Sequence, residues 1–262
     1  MTRRYRPWHN IEVMLILLSE SKRLNFDRDV EISPTKPRFE EQTDQLVDAL
    51  RGYSMPSLGK LMGISEELAV LNYDRFAKFY EADPKSAISA FDGDAYQTLR
   101  VEDFSAADLS RAQEILRIMS GLYGMLRPAD EIVPHRLEQH TKLAVGDADD
   151  LYEFWGERVS KQAEADLAQT DGDHVFLNLA SKEYSSMLTD PESEMVSPRF
   201  EDTTKAGKRR VIAYHAKRAR GAMTAWVIKN GVNKVSQLAD FDVDGYEFDE
   251  DKSTPTTPVF WR

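Results

Sequence analysis

The densest run of chemistry-bearing side chains lies between Thr203 and Arg220, where Lys205, Lys208, Arg209, Arg210, Lys217, Arg218 and Arg220 follow one another without an intervening acid. The formal net charge of the chain is −11, so removing these seven cations leaves −18 on the remainder. So local an inversion of sign points to an anionic partner, because cations that serve only solubility are interspersed with the plentiful acids. The competing reading is a basic segment paired with acids elsewhere in the fold. Further candidates are scattered: Lys22, Arg127, Arg136, Asn178 and Ser181 offer cations, an amide and a hydroxyl, and Glu138 and Tyr184 offer an acid–base pair. Brought together, they would clamp an anionic substrate, with Glu138 as a base.

Other chemistries are excluded or unsupported. The chain has no cysteine, which rules out disulfides, thiolate catalysis and Cys-ligated metals. No G-x-S-x-G elbow is present, and the glycines around Tyr123 do not form a G-x-G-x-x-G dinucleotide fingerprint. His135 and His140 are five apart, off one helix face. Neither a metal centre nor a cofactor is expected, and whether the protein is an enzyme stays open. A pI near 5.0 argues that any nucleic-acid contact is a local patch rather than bulk charge.

The elements that must position these groups follow from periodicity. Residues 14–18 form a continuous apolar run followed by Ser19, Glu20, Ser21 and Lys22, the pattern of a buried strand and its polar loop. Lys22 then stands at the carboxyl end of a strand, where α/β folds keep ligands. Residues 174–181 repeat this pattern and end in Asn178 and Ser181; a third strand is expected over 195–200. Helices are expected over 38–50, 57–62, 66–80 and 151–167. Another opens at Ser105 with a capping box to Asp108 and a buried stripe extending through Leu116 to Met119. A basic hairpin turns at Gly207, residues 211–214 alternate as a strand, and helical spacing starts at Ala216. That would place Lys217, Arg218 and Arg220 near a helix N-terminus, where cations oppose the macrodipole unless an anion sits among them. Residues 245–251 alternate as an acidic edge strand, with 259–261 as a partner.

The expected fold is mixed α/β (α+β): a single compact domain over 14–262, with a mixed sheet flanked by helices, preceded by an extension over 1–13. No apolar run approaches the roughly 20 residues that span a bilayer. The first residues lack the apolar core of a signal peptide, so a cytoplasmic protein is expected. The segment from Leu61 to Ala69 resembles the turn of a helix-hairpin-helix module, while Ser65 also reads as an ordinary helix N-cap.

Several motifs occur together in order. They are the 14–19 run with Lys22, Asp92-Gly93-Asp94-Ala95-Tyr96, Ser120-Gly121-Leu122-Tyr123-Gly124 with Arg127, and Pro134-His135-Arg136-Leu137-Glu138. They continue with Tyr152-Glu153-Phe154-Trp155-Gly156, Asn178-Leu179-Ala180-Ser181 with Tyr184, and Ala216-Lys217-Arg218-Ala219-Arg220-Gly221. In this order and spacing the chain resembles the YaaA family of peroxide-stress proteins from residue 14 to about 251. It departs from the pattern at Glu20, where Pro is expected, at His135, where Tyr is expected, and at Ser65 with Glu66 and Glu67 beside it.

The resemblance implies resistance to hydrogen peroxide, limitation of free iron, and binding of double-stranded, branched or mismatched DNA. Binding would use a helix-hairpin-helix turn at Gly63 and Ser65 and a basic cleft of Lys22, Arg127, Arg136, Lys217, Arg218 and Arg220. The alternative is an enzyme acting on a small phosphorylated or carboxylated metabolite in the same cleft. The acids of 244–251 could hold hard cations loosely, but a solvated edge strand accounts for them more simply. Oligomeric state is not legible.

Overall fold

The computed structural model describes residues 13–170 and 174–262, so the expected extension, apart from the backbone of Val13, lies outside the described residues. In chain order the strands are β1 (Val13–Ser19), β2 (Lys85–Ser86), β3 (Leu116–Ser120), β4 (Gly124–Leu126), β5 (Glu131–Ile132), β6 (His174–Asn178), β7 (Glu194–Val196), β8 (Arg199–Thr203), β9 (Arg209–Arg210), β10 (Glu247–Phe248) and β11 (Val259–Trp261). The helices are α1 (Glu40–Arg51), α2 (Met55–Met62), α3 (Glu66–Ala77), α4 (Ala87–Ala90), α5 (Tyr96–Leu99), α6 (Ala106–Ile115), α7 (Leu151–Leu167), α8 (Lys182–Ser185) and α9 (Ala213–Lys229).

The central sheet has the order β4-β3-β1-β6-β7, with β3, β1, β6 and β7 parallel and β4 antiparallel at one edge. Residues Met14, Leu15, Ile16, Leu17 and Leu18 are all buried, as a strand covered on both faces must be. From β1 the chain crosses to β3 on one side and later to β6 on the other. The strand order therefore reverses at β1, and the crevice beyond the carboxyl ends there is where open α/β sheets bind ligands. Helices α6, α7 and α9 pack against β1, and a second sheet, β10-β11-β8-β9, packs against α9 through β8.

The mixed α/β class is as expected, and so are β1, β6, α7 and the capping box at Ser105, where Asp108 N donates to Ser105 Oγ and Ser105 N donates back to Asp108. Other expectations are corrected. The α6 stripe does not run to Met119: the helix ends at Ile115, and Leu116 to Ser120 form β3, in register with β1 from Ile16↔Leu116 to Ser19↔Met119. A strand buried on both faces shows no period-2 alternation, so its apolar residues continue a helical stripe by coincidence. The expected strand over 195–200 is divided between β7 and β8, which lie in different sheets. Pro198, which lacks an N–H, sits at the break. Residues 211–214 are not a strand, since α9 already begins at Ala213. Lys217, Arg218 and Arg220 consequently lie beyond its first turn, outside the reach of the free N-terminal amides. Helix α3 ends at Ala77 and gives way to a 3-10 turn over Phe79–Glu81, and α2 starts at Met55 with Pro56 in its first turn.

Candidate anion-binding cleft

A cleft of about 500 Å³ opens at the carboxyl ends of β1 and β6. Its floor is the loop after β1 (Ser19 to Arg23), one wall is Leu179, Ser181 and α8, and the facing elements are the Gly93–Tyr96 segment and α9, which presents Lys217 and Arg220. Backbone contact sets how close α9 stands: a Cβ on Gly221 would lie 1.8 Å from the Ala95 carbonyl oxygen, so only glycine lets α9 seat on α5. Thr98 Oγ1 adds a hydrogen bond to the Arg218 carbonyl at 2.6 Å.

The floor is tied together by Glu20. Its buried carboxylate accepts from Ser120 Oγ (2.5 Å), Gly121 N (2.9 Å) and Tyr184 OH (3.0 Å), and His135 Nε2 lies 3.5 Å away. Both oxygens are thereby engaged, so Glu20 joins the loops after β1 and β3 to α8. Tyr96 OH donates to the Ser19 carbonyl at 2.9 Å, and Ser181 N donates to Ser19 Oγ at 2.9 Å. Burial, reinforced by the Glu20 charge, pushes the Tyr184 phenol well above its ordinary value, so at neutral pH it is a hydrogen-bond donor and not a base.

Glu138 stands at the neighbouring rim. One oxygen pairs with Lys22 Nζ, and the other accepts from Arg136 Nη2 at 2.6 Å. Burial pushes the Glu138 carboxyl up, but Lys22 and Arg136 outweigh it and hold it below the usual carboxylate range. It is thus a fixed anion between two cations, poorly placed to take up a proton near neutrality. His140 Nδ1 lies 2.7 Å from Glu183 Oε1 and 3.9 Å from Glu138 Oε2, and these three residues bring their donor atoms within 4.8 Å of one another. Lys22 and Arg136 already pair with Glu138, so the grouping is tied together by those ion pairs and by the His140–Glu183 hydrogen bond.

Lys22, Ser181, Tyr184, Lys217 and Arg220 thus meet at one cleft, with Arg136 and Glu138 at its rim. Neither Lys217 nor Arg220 has an ion pair or side-chain hydrogen bond among the described residues, and burial lowers the pKa of the Arg220 guanidinium. A half-buried guanidinium with no acid beside it among the described residues favours an anion as its neighbour. Arg218 instead lies over the exposed Tyr214 ring at 5.8 Å.

Other candidates lie elsewhere. Arg127 is held by Asp130, with Nη2 2.8 Å from Oδ1, and lines a cavity of about 670 Å³ at the amino end of the sheet, beside Met14. Asn178 ties strand ends together, donating to Ser197 Oγ at 3.1 Å and accepting from Ala180 N at 3.0 Å. Gly63, at φ +61°, terminates α2, and Ser65 caps α3. The Gly63 and Ile64 amides donate to the Lys60 and Gly59 carbonyls, so both are spent on closing α2. Sequence reasoning does not single out Ser19, Glu20, Arg23, Tyr96 or Glu183 as site residues; for all but Tyr96, which opens α5 after the Asp92–Asp94 turn, the available signal is their position in or beside loops that follow buried strands.

Residues 14–252 match the family model described as peroxide stress protein YaaA. The chain is 40% identical over 257 residues to a UPF0246 protein of Paraburkholderia phytofirmans, covering 95% of this chain and 98% of that one. It is 42% identical over 252 residues to a UPF0246 protein of Ruegeria sp. (strain TM1040), covering 95% of this chain and all of the relative. A match of this extent over the strands, loops and helix that build the cleft shows that the chain belongs to the YaaA family of peroxide stress proteins.

Proposed function

We propose that the protein acts in peroxide stress by binding double-stranded or branched DNA along the face formed by residues 205–220 and the adjoining cleft, and so limits iron-dependent oxidative damage. The observation that carries this reading is the set of cations without acidic partners. Lys205, Lys208, Arg210, Lys217 and Arg220 form no ion pair among the described residues, in a chain of net charge −11. Arg209 is the structural exception, bound to Asp249 at 2.7 Å. Tyr214, 53% exposed between these cations, adds an aromatic surface of the kind that accompanies basic residues in nucleic-acid grooves. Cations that neutralise phosphates release the condensed counterions. A metal ion displaced in this way no longer generates radicals at the backbone, which supplies the link to iron-dependent damage.

The α2–α3 turn contributes less in this reading. With the Gly63 and Ile64 amides engaged, a phosphate there would meet the first turn of α3, which carries Glu66 and Glu67. The test is plasmid nicking by ferrous iron and peroxide. Wild-type protein is expected to slow nicking and the Lys217→Ala/Arg218→Ala protein to lose most of that effect; equal protection by both would overturn the reading.

A second reading, an enzyme acting on a small phosphorylated or carboxylated metabolite, is favoured by one observation: the cleft floor carries Glu20, Tyr96 and Tyr184, which a phosphate backbone does not require. Protein that binds no DNA at low salt, yet restores peroxide resistance in a way that Arg220→Ala abolishes, would support it.

A further inference from the structure

We infer that the cleft binds one nucleotide unit, its phosphate on Lys217 and Arg220 and an amine-bearing base directed toward Glu183. This rests on the DNA reading for the source of the nucleotide, an unpaired residue turned out of the helix.

The composition of the walls carries the inference. Lys217 and Arg220, which form no ion pair among the described residues, stand on α9. Partly exposed Ala95 and the buried Leu18, Leu179, Tyr96 and Tyr184 line the space between the elements. Glu183 stands on the α8 wall, and its Oε1 accepts from His140 while Oε2 has no partner among the described residues. A bare phosphate would fill a small part of about 500 Å³, a volume in the range of pockets that hold whole organic ligands. A carboxylate in the same cleft repels a second anionic group, so the part of the ligand that meets Glu183 must donate hydrogen bonds. The occupant therefore combines an anionic end, an apolar middle and a donor end. A phosphorylated sugar lacks the apolar middle, and a carboxylic acid phosphate lacks the donors. A nucleotide has all three: a phosphate, flat apolar base faces and, in adenine, cytosine and guanine, an exocyclic amine that thymine lacks. Extruding one nucleotide costs only a few kcal/mol where the base is unpaired, so such sites would be selected.

The test uses the full-length protein with duplexes carrying a single unpaired dA, dC or dT, beside a fully paired duplex, and with free dCMP and dTMP as separate probes. Expected are tighter binding of the duplexes with unpaired dA or dC than of the dT duplex by about tenfold, and increased emission from 2-aminopurine placed opposite an abasic site. Both effects should fall away in Arg220→Gln and, for the base preference alone, in Glu183→Gln. Equal binding of all four duplexes with unchanged 2-aminopurine emission would overturn the inference while leaving DNA binding intact. If no DNA binds, the DNA reading fails, and free dCMP decides the cleft: saturable binding that Arg220→Gln abolishes and dTMP does not match supports a nucleotide site, and no binding overturns it.

Discussion

Glu20 Oε2 and His135 Nε2 lie 3.5 Å apart beneath the cleft, joining the loop after β1 to the segment after β5. The Glu20 carboxylate also takes hydrogen bonds from Ser120, Gly121 and Tyr184. Replacing Glu20 by Ala strands buried donors and is expected to cost about 3 kcal/mol. The midpoint of urea unfolding reports this; a change below about 0.5 kcal/mol would show that water satisfies the donors instead.

Acid should unfold the protein through its buried carboxylates. Burial pushes the Asp166 carboxyl up, but Arg117 and Arg38 outweigh it, and Glu138 is depressed likewise by Lys22 and Arg136. A folded pKa below the unfolded value means that the unfolded chain takes up protons first as the pH falls. The contribution is complete above about pH 5 and is lost as the pH drops through the folded values. Unfolding midpoints measured from pH 7 to pH 3 should fall at the acid end, and Asp166→Asn should lower stability at pH 7 while flattening that fall. A parallel pH curve in the variant would contradict the assignment.

The seat of α9 depends on Gly221. A methyl group there meets the Ala95 carbonyl oxygen at 1.8 Å, so Gly221→Ala must push α9 off α5. The expected cost is roughly 2 kcal/mol or more, together with weaker ligand binding, because Lys217 and Arg220 move with the helix. Thermal denaturation and DNA titration on the same sample check both effects.

Two arginines that look equivalent in the sequence should behave differently. Arg220 lines the cleft with no ion pair among the described residues, whereas Arg127 is tied to Asp130 at the other end of the sheet. Arg220→Ala is expected to weaken DNA binding and lower the salt slope by about one unit. Arg127→Ala should leave binding unchanged and reduce stability by leaving the buried Asp130 unpaired. Equal reductions in affinity would contradict this division.

What the sequence makes legible follows from how each element is buried. Strands β1 and β6 stand out because their continuous apolar runs end abruptly in polar loops, and this places Lys22 and Ser181 at the cleft. Strand β3 does not stand out, since Leu116 to Met119 prolong the apolar stripe of α6, and the central partner of β1 therefore reads as helix. Arg127 and Arg136 look alike in sequence, each just after a buried segment; only tertiary pairing separates them, by giving one Asp130 and the other Glu138. Glu20 is inconspicuous because a lone acid after a strand carries no signal until Ser120, Tyr184 and His135 close around it.

The most direct measurement is a salt titration of binding to labelled duplex and four-way-junction DNA, run for the wild type and for Lys217→Ala/Arg218→Ala. Binding should weaken steeply with salt, and the variant's slope should be shallower by nearly one unit for each phosphate it no longer neutralises. Equal affinity and slope for both proteins, or no binding at low salt, would contradict a phosphate-binding face at residues 205–220.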